Sequence, residues 1–362
     1  MLRMPRPWIP RRVLVTPSAL AWPTGAAMVE RAAALGSDIV RLDSDRLSSL
    51  PDSYRDAKTT MAIVNASPSR RRLQPIPPSA DWRFDLAEGC PAHCSYCYLA
   101  GSLAGPPIIR AYANLREILA ELPAAVGQGR VTSASRERAG EGTTFECSCY
   151  TDPLSIEHLT GYLAACITHF GAWDMPGDVP GDGQAGGKVQ LRFTTKFDPV
   201  GPLLGLAHNR RTRIRFSVNA AAAERHEGCA PRVRARLAAL RAVAAAGYPV
   251  GLTVAPIMRV PDWADAYDRL FADVAEALDG VADVDLTAEL ITHRFTPKSK
   301  DVLAAWYPGS PLEMDEGLRA RKMTKFGSTK WVFPREQMVE MREALQASLA
   351  RRLPMVRLLY WT

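Results

Sequence analysis

From Asp81 onward the chain alternates short runs of β-branched and aromatic residues with longer amphipathic stretches, and no other feature narrows the fold as much. The strand-like runs are Trp82–Ala87, Thr144–Cys149, Val189–Lys196, Arg213–Asn219, Val250–Ile257 and Val284–Leu290. Helical periodicity covers Leu115–Val126, Ile156–Phe170, Arg232–Ala246 and Trp263–Leu278. Apolar spacing that switches between the strand and helix periods marks βαβ units. Parallel strands joined by helices predict an α/β fold, a partial (β/α)6 TIM-like barrel with its chemistry at the carboxyl ends of the strands.

The flanks read differently. Arg12–Thr16, Asp38–Leu42 and Thr60–Val64 are strand-like, and the helical pattern through Met28–Leu35 stops at Gly36. They predict a small N-terminal α/β lobe. Ser67–Pro78 holds four prolines and the Arg70-Arg71-Arg72 triplet, and reads as an exposed linker with a solvated charge run. Gln128–Gly142 and Gly171–Gly187 are polar and rich in glycine, as surface insertions are. The expected division is 1–78 for the N-terminal lobe and linker, 79–296 for the barrel, and 297–362 for a C-terminal hairpin and helix extension.

Composition enters as a set of exclusions. With 47% hydrophobic residues among 362, the chain is too apolar to be disordered. No run approaches the roughly 20 apolar residues that cross a bilayer, so no membrane partner is expected. Met1–Pro7 has basic residues with no apolar stretch behind them, which argues against a secretory signal and for a cytoplasmic protein. The net charge of +7 suits a polyanionic partner and equally an ordinary basic enzyme.

Seven cysteines are present, and three of them, Cys90, Cys94 and Cys97, share one loop with the spacing C-x3-C-x2-C. A disulfide scaffold is not built that way; a metal or cluster site is. Three thiolates can hold three irons of a [4Fe–4S] cubane and leave the fourth iron open to a small chelating molecule. The alternative is zinc, which wants four N or S ligands, with His93 as the only nearby fourth donor.

This loop, placed after the first barrel strand, resembles the radical S-adenosylmethionine superfamily. Longer segments resemble one family within it, the spore photoproduct lyases. They are Cys94-Ser95-Tyr96-Cys97-Tyr98-Leu99, Ile109–Asn114, Phe145–Asp152, Leu191–Phe197, Arg215–Asn219, Ala246–Gly251 with Val254–Ile257, Glu289–Thr296 and Leu359–Thr362. The resemblance implies a lyase of DNA repair whose cofactors are a [4Fe–4S] cluster and S-adenosylmethionine. Its substrate would be DNA carrying a methylene-bridged thymine dimer, split back to two thymines. A 5′-deoxyadenosyl radical starts that chemistry and a cysteine thiol quenches the thymine radical at its end. The alternative is a same-family enzyme acting on another lesion, a nucleoside or a natural-product precursor.

Carried over residue by residue, the resemblance makes Cys90, Cys94 and Cys97 the cluster ligands and Cys149 the hydrogen donor. Tyr96 and Tyr98 match the tyrosine relay, and Tyr96 also sits where an aromatic residue meets the adenine. Thr151, Lys196 and Ser217 match positions that contact S-adenosylmethionine. Arg294, Lys325 and Phe326 match the substrate side, the last two on a basic and aromatic hairpin, Lys322–Trp331, suited to phosphate contact and base stacking. A low-potential donor such as flavodoxin or ferredoxin is implied, and a monomer is expected. Two departures stand out. Lys325-Phe326-Gly327 replaces the family's Arg-Tyr-Gly, and Cys147 lies two residues before the donor. In a continuous strand those two thiols would share a face.

Overall fold

The computed structural model describes residues 7–48, 50–103, 105–132, 134–138, 140–173, 188–323, 327 and 329–362. Contacts divide the chain into two compact units, Met1–Pro91 with Gly105–Ile214, and Ala92–Ala104 with Arg215–Thr362. This division differs from the expected one at 78 and 296.

In the first unit, four parallel strands lie in the order Asp38–Arg41, Arg12–Val15, Thr60–Val64 and Ile109–Tyr112, and the short Ala87–Glu88 strand closes the sheet antiparallel. Val13, Leu14, Met61, Ala62 and Ile63 are wholly buried, the unbroken apolar runs of a parallel sheet covered on both faces. The N-terminal lobe is completed by a strand from beyond the cysteine loop, a pairing no local pattern announces. Proline starts the Pro23–Ala34 helix, whose apolar face buries Met28, Val29 and Ala32.

The segment expected as a linker is structured. Pro68–Arg71 is a helical turn and Gln74–Ile76 an edge strand, antiparallel to Ala80–Phe84. Two of its three arginines are paired, Arg70 with Glu88 and Arg71 with Glu117 at 2.8 Å. Ala80–Phe84, Thr143–Cys147 and Val189–Thr195 are the first three barrel strands, with Phe145 in register with both Trp82 and Leu191. Asp81 accepts from the Val131 N–H (2.7 Å) and the Thr144 N–H (2.9 Å), which ties the 128–142 insertion to the sheet. Two expected helices are shorter than their periodicity suggests. The first ends at Leu119, four residues before Pro123, and Gly161, at φ +66°, splits the second.

The fourth barrel strand, Thr212–Val218, runs on into the second unit. There Val250–Ile257, Leu286–Thr292 and the C-terminal Arg357–Trp361 run parallel. The sixth strand begins two residues later than expected, and the C-terminal strand adds itself beyond it. The large sheet follows the order C-terminal strand, sixth to first barrel strands, then the Gln74–Ile76 edge. The strands stand in the order the alternation predicts, in an α/β fold. The C-terminal extension carries helices Pro297–Trp306 and Arg335–Arg352 and the hairpin Ala320–Met323 with Thr329–Val332.

The second unit buries a polar layer. Arg215 pairs with Glu289 at 2.6 Å, both side chains 2% exposed, and Tyr360 Oη donates to the same carboxylate at 3.1 Å. Gly251 leaves the room: a Cβ there would stand 2.8 Å from Arg215 Cγ. Removing one partner of such a pair strands a buried charge. Arg215→Met is therefore expected to lower unfolding free energy by about 3–5 kcal/mol, while Arg215→Met with Glu289→Met regains most of it. Urea unfolding of the two variants measures this, and a double variant no better than the single one would refute it.

Candidate functional site

In the first unit the second barrel strand ends at Cys147, because Ser148 turns left-handed at φ +60°. That turn overturns the expectation that Cys147 and Cys149 share a face. Cys147 is 1% exposed, and burial, then the neighbouring Cys166, push its thiol well above the ordinary range. Cys149 is half-buried, its N–H donating to Asp85 Oδ1 at 3.1 Å. Neither cysteine is in a disulfide. Of the two thiols, Cys149 is the one a substrate can reach.

Thr151 follows, 8% exposed, and its buried Oγ1 makes no hydrogen bond among the described residues. A buried hydroxyl without a partner costs free energy unless a ligand satisfies it. Asp152 braces the end of the third strand, accepting from Thr195 Oγ1 and the Lys196 N–H, each at 2.7 Å. Burial pushes its carboxyl up to about 6 against those hydrogen bonds. Lys196 is thereby held at a strand's carboxyl end. Upstream, Gly89 at φ +85° precedes Cys90, whose carbonyl accepts from Lys58 Nζ.

In the second unit the cysteine loop is held by its own network. His93–Cys94 pairs antiparallel with Glu227–Gly228, and Ser95 Oγ meets His226 Nδ1 at 3.0 Å. Tyr96 is buried and its Oη donates to Glu227, which also accepts from the fully buried Arg236. Arg236 donates in turn to the Ser217 carbonyl at 3.0 Å, so Tyr96 and Ser217 are joined through two side chains. Burial above all raises the Tyr96 phenol well beyond its usual range, keeping the proton on oxygen. Tyr98 lies in other surroundings, 67% exposed at the start of the Tyr98–Gly101 turn.

Cys94 is buried and Cys97 half-buried, as Cys90 is. Among the described residues no three His, Cys, Asp or Glu side chains converge on a point that could hold a single metal ion. A cubane takes one thiolate per iron and does not need that convergence; a mononuclear zinc site does.

Arg294, expected on the substrate side, donates to the Thr362 carbonyl at 3.0 Å and to the Thr292 carbonyl at 3.3 Å, so its guanidinium braces the C-terminal strand. Lys330 on the hairpin has its ammonium pushed down by burial and by the nearby cations Arg294 and Lys322. Lys325 and Phe326 lie outside the described residues. Sequence reasoning missed Asp85, Glu227 and Arg236. Asp85 lies 64 residues from Cys149 and Glu227 lies 131 from Tyr96, and no local spacing signals such pairs; Arg236, nine residues from Glu227, matters only through that carboxylate.

Comparison with known proteins gives one answer. The family model described as spore photoproduct lyase matches residues 8–362. Relatives include the spore photoproduct lyases of Geobacillus sp., 36% identical over 99% of this chain and 100% of the relative, and of Bacillus subtilis, 35% identical over the same shares. A solved spore photoproduct lyase variant with bound AdoMet and dinucleoside spore photoproduct is similar at 34% identity, with a TM-score of 0.87 over 99% of this chain and 100% of that one.

Asp85 yields a pH test. Burial first, and Glu88's charge with it, lift its carboxyl from 3.8 to about 6 against the pull of Arg83. Between those values the folded chain binds the proton more tightly than the unfolded one, so this residue's contribution to stability falls as pH rises. Relative to Asp85→Asn, the native chain is expected to lose about 2 kcal/mol between pH 4 and pH 7, most of it below pH 6. Denaturant unfolding of both at the two pH values measures the difference; a constant gap would disprove the shift.

Proposed function

Because the chain belongs to the spore photoproduct lyase family, we propose that it splits the methylene-bridged thymine dimer of DNA back to two thymines, with Cys149 as hydrogen donor. The observation that carries the donor assignment is the left-handed turn at Ser148, which leaves Cys149 reachable and Cys147 buried. Cys90, Cys94 and Cys97 would hold a [4Fe–4S] cluster, one thiolate per iron. Thr151, with its unsatisfied hydroxyl, Lys196 at a braced strand end, Ser217 and Tyr96 would contact S-adenosylmethionine. That donor set fits the ligand: a hydroxyl and an ammonium for its carboxylate and ribose, a buried ring for its adenine. Cluster and S-adenosylmethionine together supply the adenosyl radical that removes a hydrogen atom from the dimer.

The chain's own residues do the rest. Once the bridge has broken, a carbon radical remains on one thymine. Cys149 gives it the thiol hydrogen: the S–H bond breaks, a C–H bond forms, and the unpaired electron moves to sulfur. Tyr98, exposed at the start of its turn, would return a hydrogen atom to that sulfur, its O–H bond breaking as the S–H bond re-forms. Tyr96, fixed on Glu227, is the more rigid of the two tyrosines and positions the cofactor. Arg294 stiffens the strand beside the hairpin, and Lys322 and Lys330, with Lys325 and Phe326, would meet phosphates and an extruded base.

Cys149→Ala is expected to keep the visible thiolate-to-iron absorption of the reconstituted protein and to cleave S-adenosylmethionine. It should return adducts of solvent or reductant where native protein returns thymine. Cys147→Ala should return thymine, and Cys94→Ala should lose both absorption and cleavage. Mass analysis of products decides; trapped adducts from Cys147→Ala with clean thymine from Cys149→Ala would reverse the donor assignment.

The hairpin is tested by salt. Each phosphate contact contributes close to one to the slope of log affinity against log salt. Lys322→Ala with Lys330→Ala should lower that slope by about 1–2 for lesion-bearing duplex, as read by titration at several salt concentrations. An unchanged slope would remove the hairpin from the DNA interface.

A further inference from the structure

The donor cysteine is fastened to the segment that runs into the cluster loop, and the fastening is continuous. The first and second barrel strands stop opposite one another, Phe84 in register with Cys147. Past those ends an ordinary ladder would fray. Here four hydrogen bonds carry the pairing onward within the first unit. The Ser148 N–H donates to the Phe84 carbonyl at 2.8 Å, and the Leu86 N–H donates to Ser148 Oγ at 3.2 Å. The Cys149 N–H donates to Asp85 Oδ1 at 3.1 Å, and the Gly89 N–H donates to the Tyr150 carbonyl at 2.9 Å. The Arg83 guanidinium lies 4.5 Å from the Tyr150 ring centroid, holding the far side of the same loop.

Only one of these bonds serves the donor residue itself, and a side chain makes it. Because Ser148 is left-handed, the Cys149 N–H turns out of the direction in which a strand carbonyl would meet it. A hydrogen bond to a carboxylate is stronger than one to a neutral acceptor, so this acceptor holds the loop more firmly than a carbonyl would. The other end of the seam is rigid too. Gly89 is at φ +85°, and a Cβ there would stand 2.3 Å from the Ile108 carbonyl oxygen, so the approach to Cys90 has little freedom.

We infer that Asp85 is a positioning residue for hydrogen return: by holding the Cys149 N–H it fixes the donor thiol relative to the segment that ends in Cys90. The inference rests on Cys149 being the donor. A hydrogen atom moves only over a short distance, so a loop free to drift lets solvent or reductant reach the thymine radical first. The consequence is specific. Loss of Asp85 changes what is made, while radical initiation goes on.

The experiment compares Asp85→Ala, Asp85→Asn and Cys149→Ala, each first shown to unfold cooperatively. In the reconstituted enzyme, Asp85→Ala should cleave S-adenosylmethionine within about two-fold of the native rate and raise the trapped fraction of product about ten-fold. Asp85→Asn, which keeps an acceptor oxygen, should restore most of the thymine yield. In cluster-free protein, iodoacetamide labelling followed by peptide mass analysis should show Cys149 alkylated several-fold faster in Asp85→Ala than in Asp85→Asn. Native partitioning and native labelling in Asp85→Ala would overturn the inference, as would an Asn variant that fails as Ala does. Thymine returned normally by Cys149→Ala would bring down the donor assignment instead, and the labelling comparison would still decide whether Asp85 holds the loop.

Discussion

A carboxylate taken out of water organises the cysteine loop. Glu227 is 4% exposed, and it is tolerable there only because Arg236 and Tyr96 both donate to it. Arg236 has no exposed surface either, and it also donates to the Pro231 and Ser217 carbonyls. Three groups are thus held in one geometry: a loop tyrosine, the short strand paired with Cys94, and the end of a barrel strand. Remove any member and a charge or a phenol is left buried without a partner, which is why the network is all or nothing. A loop proposed to hold an iron cluster would gain from such a support, because thiolate ligation tolerates little drift in the ligands.

A second device works in the first unit by backbone conformation. Cys147 and Cys149 are two residues apart, yet one is a core side chain beside Cys166 and the other a reachable thiol. The difference is one residue, Ser148, in a conformation that L-residues other than glycine seldom adopt. Its cost is offset locally, since its N–H is hydrogen-bonded to the last residue of the first barrel strand and its Oγ to the segment just after it. Strain kept at a functional loop by surrounding hydrogen bonds is a recurring arrangement. The same economy appears at Asp152, whose buried carboxyl is surrounded by donors and orients the Lys196 backbone.

Much of this was legible in the chain itself. The alternation of six barrel strands with helices, the cysteine loop after the first of them and the N-terminal lobe follow from periodicity and spacing, which are local properties written residue by residue; the C-terminal hairpin was legible through the family resemblance. The candidate residues at strand ends were legible through the family resemblance, and the strand ends agreed with it, since a strand's carboxyl end is read where its apolar run stops. Boundaries were less so. Val284–Leu290 slid to Leu286–Thr292, and Pro123 and Gly161 cut helices whose apolar pattern ran through them.

Tertiary structure decided what depends on partners far away in sequence. That Ile109–Tyr112 completes the N-terminal sheet, that Arg357–Trp361 extends the barrel, that Arg294 braces Thr362, and that Glu227 finds Tyr96 are facts of pairing between segments up to 131 residues apart. A buried charge is stable only where its partner is brought, and that place exists only once the chain has folded. The sequence alone therefore determined which groups the chain carries, three thiols on one loop and two more around a strand end. Which of two neighbouring thiols is the reachable one was decided by the left-handed turn at Ser148, held by hydrogen bonds from a segment more than sixty residues upstream.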